Sequence, residues 1–234
     1  MRKGTGNSSG MVAISDATGF MSEFAVSRET ADRLTIYAEL LAKWQKTINL
    51  VAPSTLGAVW SRHFADSAQI LPLARNATGY WVDLGSGAGF PGLVLAILRA
   101  EMGPMRATLV ESDSRKCAFL AEVLRKVGLP PSATVEIRNQ RIENSATQDS
   151  LTGVDVITAR ALAPLDRLFE LSAGLFAPST RAFFLKGRDT EAEIEAARLR
   201  WSFVCEIHPS RTDPSGRIVE VRGPVVRMEG LGRG

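Results

Sequence analysis

Four glycines within eight residues follow an aspartate in 81-WVDLGSGAGFPGLVLAIL-98: Asp83, then Gly85, Gly87, Gly89 and Gly92. Glycines between a strand-like and a helix-like segment let backbone approach a ligand closely, and a helix start favours negative charge. Two spacings overlap here. Gly87, Gly89 and Gly92 satisfy G-x-G-x-x-G, the dinucleotide pattern. Asp83, Gly85, Gly87 and Gly89 satisfy D-x-G-x-G-x-G, the pattern of S-adenosylmethionine (SAM) sites. A carboxylate sits badly beside a pyrophosphate, whereas Asp83 suits the ammonium of a methionine moiety, directly or through water. A purely structural turn gains nothing from four glycines, and Pro91 fits the first turn of the helix that follows.

Groups at the ends of three later runs bear on the choice. Glu111 ends the next apolar run and can accept hydrogen bonds from both ribose hydroxyls, a chemistry that either cofactor uses. Ile142 and Glu143 follow the third such run, an apolar residue suited to adenine beside an acidic one. Asp155 opens a fourth run, VDVITAR, and Arg160 leaves its carboxyl end, where ligands sit in open α/β sheets. Nucleoside-suited chemistry thus recurs at successive strand ends, and SAM is the cofactor this order favours.

These positions need a scaffold. Apolar residues at Ala31, Leu34, Tyr37, Ala38, Leu41, Trp44 and Ile48 predict one long helix over 27–50, capped by Ser27 and stopped by Pro53. Residues 54–73 predict one or two shorter helices ending near Pro72. From residue 80, β-rich runs at 80–84, 106–111, 133–138, 154–160 and 181–187 alternate with helical patterns at 91–100, 114–127, 164–176 and 189–199. That alternation means a parallel sheet with right-handed crossovers. Runs 200–209 and 217–228, joined by the turn-forming SRTDPSG, predict a closing antiparallel hairpin. A class I SAM-dependent methyltransferase (Rossmann-like) fold follows: a mainly parallel seven-stranded sheet, a C-terminal antiparallel hairpin and an N-terminal helical extension. The expected divisions are a disordered leader over 1–24, the extension over 25–75 and the methyltransferase domain over 76–230.

Composition narrows the function classes. The net charge of +3 is evenly spread, and no third of the chain carries an excess above two positive charges. Charge alone therefore does not demand nucleic acid. The 22 arginines against 6 lysines suit bidentate phosphate or guanine contacts, and genomic composition produces the same bias. Cys117 and Cys205 form no C-x-x-C, and two histidines, His63 and His208, are too few for a His-based metal centre, so no metal is expected. The longest apolar run, 93-LVLAIL-98, is too short to span a bilayer. No signal peptide is recognisable, and a cytoplasmic address without membrane association is expected.

The segment DLGSGAGFPGLVLAI closely resembles the glycine loop of the RsmG/GidB family of bacterial small-subunit ribosomal RNA methyltransferases. Its Phe-Pro-Gly tail is more specific than the glycines alone. The resemblance extends to 44-WQKTINLVAP-53, 62-RHFADSAQIL-71, 141-RIEN-144, 159-ARALAPL-165 and 185-LKGR-188, covering about residues 30–190. By motif it implies cofactor contacts at Gly85, Phe90, Ile142, Glu143 and Arg160, beside Asp83, Gly87, Gly89 and Glu111. Glu111 departs from the aspartate more usual there, and Ala88 from a proline.

The resemblance also implies methylation of guanine N7 in the 530 loop (position 527) of 16S rRNA, leaving S-adenosyl-L-homocysteine. The partner is then 16S rRNA, the small ribosomal subunit or its assembly intermediate, met by a monomer. N7 carries a lone pair and no proton, so no general base is needed and no catalytic residue is assigned; Arg160 and Lys186 are positioning candidates. RNA contacts are expected from Arg62, His63, Arg160, Lys186 and Arg188, with His63 equally readable as a packed histidine. Arg115, Lys116, Arg125, Lys126, Arg198 and Arg200 read as solvated faces, His208 as surface and Trp44 as core. Two other readings stay open: a SAM-dependent methyltransferase acting on a protein or small molecule, and a non-catalytic SAM/RNA-binding assembly factor. A dinucleotide oxidoreductase stands further off.

Overall fold

Helix α1 (Ala17–Phe24) begins where the Asp16 side chain accepts the Gly19 N–H, and it buries Phe20 completely. The computed structural model describes residues 14–75, 77 and 79–228. Residues 14–24, expected as part of a disordered leader, are instead built into the fold. Ile14 and Phe20 belong to the core, and Phe20 packs against Phe24 and Trp60. Burying one such ring is worth roughly 2–3 kcal/mol. The rest of that expectation, residues 1–13, lies outside the described residues.

Helix α2 (Arg28–Trp44) starts as its periodicity predicts, with the Ser27 hydroxyl accepting the Thr30 N–H at 3.1 Å. It ends well before Pro53. Gln45 causes the early stop: its Oε1 accepts the N–H groups of Leu50 and Val51, each at 3.0 Å, and turns the chain back. Residues 53–73 form a broken series instead of one or two helices. A 3-10 segment (Pro53–Ala58) leads to a π-helical segment (Trp60–Ala65), then α3 (Asp66–Ala68) and α4 (Ile70–Leu73). Pro72 lies inside that last turn.

The alternating part follows as β1 (Tyr80–Leu84), α5 (Gly92–Met102), β2 (Met105–Glu111), α6 (Ser114–Val127), β3 (Ala133–Asn139) and α7 (Ser145–Ser150). It continues as β4 (Val156–Arg160), α8 (Leu165–Ser172), β5 (Arg181–Lys186) and α9 (Thr190–Arg198), then β6 (Trp201–Pro209) and β7 (Arg217–Arg227). Within this alternating part, α7 alone has no counterpart in the sequence expectation. It is too short to show a helical period, and the Asn144 side chain starts it by accepting the Ala146 N–H.

The sheet order is β3-β2-β1-β4-β5-β7-β6. The first five are parallel, and β7 inserts antiparallel between β5 and β6. Strand order reverses between β1 and β4, so the carboxyl ends of those strands open a crevice. Helix α5 is buried from Gly92 through Ala100 because the sheet covers one side while α2 and α3 cover another. The N-terminal helices are thus part of the core, with Tyr37, Phe64, Phe90 and Phe119 in one apolar cluster. Phe169, Phe184 and Trp201 anchor the cluster on the opposite face. Among the described residues, no helix is long and apolar enough to cross a membrane.

Candidate functional site

Two cavities, each of about 450 Å³, meet at a wall made by Leu50, Arg160 and Ala161. The first lies over the carboxyl ends of the sheet and is bounded by Gly85, Gly87, Phe90, Glu111, Ile142, Glu143 and Arg160. The second lies between the π-helical segment, the end of β5 and the 210–217 connector. The shared wall contains the backbone outlier Ala161, a non-glycine residue at φ 52°. Such left-handed strain costs on the order of 1–2 kcal/mol and persists only where the surroundings impose it.

The glycine loop is shaped from behind by α2. Gly89 has φ 89°, and a Cβ there would lie 2.2 Å from the Tyr37 hydroxyl oxygen. That hydroxyl donates to the Ala88 carbonyl, and burial holds the phenol's pKa well above its ordinary value. The Tyr37 ring stacks on Phe90 at 5.5 Å and 7°, and His63 stacks on Phe90 at 4.7 Å. Tyr37, expected only as part of a helix face, is therefore the prop of the loop.

Asp83 is not in the cleft. Its side chain turns beneath the loop toward the start of α5, where a Cβ on Gly92 would lie 2.5 Å from the carboxyl carbon. Asp83 pairs in register with Thr158, whose hydroxyl donates to Oδ1 at 2.6 Å, while Oδ2 is buried without a partner. Burial raises its pKa to about 6, against the opposing pull of the Thr158 hydroxyl. Asp83 is thus placed to position the loop rather than to touch a ligand.

Glu111 is in the cleft and ties it together. Its Oε2 accepts the Gly87 N–H and its Oε1 the Asp113 N–H, both at 2.8 Å. Each oxygen keeps one lone pair, the number that two ribose hydroxyls require. Ile142 is buried, and Glu143 at the rim pairs with Arg167 at 3.2 Å. The half-buried Lys116 and the exposed Arg141 also border this cavity. Lys116 was expected on a solvated face; its helix starts directly after β2, so its side chain reaches the cleft.

Arg160 faces both cavities. It donates to Asp66 Oδ2 and the Arg62 carbonyl at 3.1 Å, meets His63 Nδ1 at 2.9 Å and lies 4.9 Å over the Phe90 ring. His63 is buried, and burial with help from the Arg160 and Arg62 charges lowers its pKa to about 3. The histidine is neutral and packed, although it borders the second cavity.

The expected cations separate into two kinds. Arg62 is paired with Asp213 at 2.7 Å at the second cavity. Lys186 is 8% exposed and held by Glu193 at 2.5 Å and the Ala163 carbonyl at 2.7 Å, so it is not an open phosphate contact. Arg188 is exposed and has no ion-pair partner among the described residues. Trp44, expected in the core, is half-buried at its edge, where it packs edge-on against Phe119 and donates to Glu122. His208 is not free surface; it meets Glu220 at 3.0 Å. Glu206, His208 and Glu220 cluster with metal-ligand types, and the guanidinium groups of Arg181 and Arg222 supply the cation there.

Comparison with known proteins fits this geometry. The family model described as GidB, rRNA small subunit methyltransferase G, matches residues 30–213. Ribosomal RNA small subunit methyltransferase G of Parvibaculum lavamentivorans is 48% identical over 215 residues, covering 92% of each chain. The Paramagnetospirillum magneticum protein of the same name is 49% identical over 202 residues, covering 86% of this chain and 93% of its own. Among solved structures, a methyltransferase from Geobacter sulfurreducens superposes with a TM-score of 0.54 at 13% identity, covering 82% of this chain and 90% of its own. That likeness concerns the fold.

Proposed function

This chain belongs to the rRNA small subunit methyltransferase G family, and on that premise we propose that it methylates N7 of a guanine in 16S rRNA, at position 527 in the 530 loop. SAM occupies the first cavity and the base enters through the second. The observation that carries this arrangement is Arg160, a single side chain bordering both cavities and lying over Phe90 of the glycine loop.

The first cavity fits the cofactor in size and donor set. Gly85 and Gly87 offer backbone without a Cβ, Glu111 offers two free lone pairs, and Ile142 offers an apolar surface for adenine. Bound there, SAM supplies a methyl group made electrophilic by its sulfonium. Asp83 and Tyr37 hold the loop in shape from below and behind. Phe90 and Arg160 define the side through which a base must approach.

A guanine N7 attacks with its own lone pair, so the chain has to align the two reactants and exclude water. Its residues suit that limited task. His63, the one histidine near the wall, is held neutral and hydrogen-bonded to Thr55 at 2.9 Å, so it does not take up a proton near neutral pH. One copy of the chain carries both cavities, and the reading needs no second subunit.

The test is methyl transfer from tritiated SAM to small subunits from cells lacking the enzyme, with naked 16S rRNA and an assembly intermediate as parallel arms. Label at the single expected guanine is the predicted result. Label in protein alone, or at another base, overturns the reading.

A further inference from the structure

The second cavity has a charge pattern unlike that of a phosphate site. Its cations are already matched: Arg62 by Asp213, Arg160 by Asp66, Lys186 by Glu193 and Arg217 by Glu191. A phosphate entering there would meet the Asp66 and Asp213 carboxylates beside paired guanidinium groups. A neutral ligand rich in hydrogen-bond donors suits it better, and a nucleobase fits a space of about 450 Å³.

The free acceptors can be counted. Asp213 Oδ1 is saturated by the Ser215 amide and hydroxyl at 2.9 and 2.8 Å, while Oδ2 receives only Arg62. Asp66 Oδ1 is saturated by Gln69 and Thr212, each at 2.9 Å, while Oδ2 receives only Arg160. Each carboxylate therefore keeps one lone pair on Oδ2. The connector carrying Asp213 is fastened to the helical side, since the Arg211 N–H donates to Gln69 Oε1 at 2.8 Å. These acceptors are in place before any ligand arrives.

Guanine geometry then assigns the edges. With N7 turned toward the first cavity through the Arg160–Ala161 wall, O6 lies on the same side and N1–H with the 2-amino group lies away from it. Resting on the functional reading above, we propose that the second cavity selects guanine, with Asp213 on the β6–β7 connector accepting from N1–H on its Watson–Crick edge and Arg160 donating to O6. Adenine offers an unprotonated N1 on that edge and would set a lone pair against the carboxylate. Arg62 acts as a positioning residue that holds Asp213 ionised, with its carboxyl pulled down to about 2 chiefly by that pairing.

The experiment compares wild type with Asp213→Asn on unmethylated small subunits carrying either the target guanine or an adenine substituted for it, with SAM affinity and melting temperature measured alongside. Asparagine keeps the side-chain shape and the acceptor for Ser215 but can donate to adenine N1. The variant is expected to lose about tenfold or more in kcat/KM on guanine and to narrow the guanine-to-adenine ratio by about the same factor, with SAM affinity unchanged. An unchanged ratio in a variant of normal stability overturns the proposal and leaves the family activity standing. No transfer by wild type to the guanine-bearing subunit overturns the functional reading, and this proposal with it. If Asp213→Asn unfolds, Asp213→Glu, which keeps the charge and displaces the acceptor by one methylene, decides the matter: it should slow transfer to guanine, and an unchanged rate refutes the role.

Discussion

The two cavities have the same volume and share a wall, yet they are built in opposite ways. The first is made from consecutive strand ends, each delivering its group immediately after an apolar run: Gly85 after β1, Glu111 at the end of β2, Ile142 after β3 and Arg160 at the end of β4. The second is assembled from places far apart in the chain: Arg62 and Asp66 near the π-helical segment, Lys186 at the end of β5 and Asp213 in a hairpin connector. A parallel sheet converts sequence order into spatial order at its carboxyl edge. No comparable rule places a connector against a helix that lies about 150 residues away in the chain.

Breaking the first cavity should have the largest effect. Gly89→Ala adds a Cβ at positive φ against the Tyr37 hydroxyl and is expected to cost about 2–4 kcal/mol in urea unfolding. Part of that loss should return in a Tyr37→Phe background; strict additivity of the two changes would deny the clash. Next comes the wall that both cavities share. Arg160→Lys keeps the charge but loses the fork that reaches Asp66 and His63 together, so single-turnover methyl transfer should fall roughly 10–100-fold. SAM affinity should fall by less, and an equal fall in both would place Arg160 in the first cavity alone.

A smaller effect tests the support beneath the loop. The folded-state pKa of Asp83, about 6, lies above its ordinary 3.8. Between those values the folded protein holds a proton that the unfolded chain releases, so this contribution to stability is lost as pH rises from about 4 to 6. Asp83→Asn abolishes that slope. The stability of the variant relative to wild type should climb by on the order of 1–3 kcal/mol over this window and level off above it. A parallel pair of pH curves would show that Asp83 is not buried as described. Asp83→Ala, which also removes the Thr158 partner, should weaken SAM binding by loosening the loop.

The smallest effect separates the two expected basic residues at and just after the end of β5. Arg188→Ala should reduce the salt-dependence slope of RNA binding by about one. Lys186→Ala should leave that slope alone and cost about 1 kcal/mol of stability, measured by thermal melting.

What the chain discloses follows the same division. The sheet, its crossovers and its antiparallel end are legible because strand and helix periods alternate cleanly from residue 80 onward. The first cavity's residues are legible for the same reason, apart from Asp83, whose direction depends on how closely Gly92 approaches it. Helix α1 hides because its two rings lie in a small, polar context, and only the Asp16 cap marks it. Gln45 ends α2 through side-chain bonds to residues that follow it, a signal no periodicity carries. The π-helical segment shifts the facing of Arg62 and His63 away from any 3.6-residue pattern. Asp213 reads as an ordinary turn residue until its partner Arg62 is seen beside it.

The stack of Tyr37, Phe90 and His63 has a thermodynamic consequence. Phe90 belongs to the glycine loop of the first cavity, His63 borders the second, and their rings touch. A ligand that shifts Phe90 in one cavity alters the wall offered to the other, so the two binding free energies are linked. Linkage is reciprocal: whatever factor SAM adds to the affinity for RNA, RNA must add to the affinity for SAM.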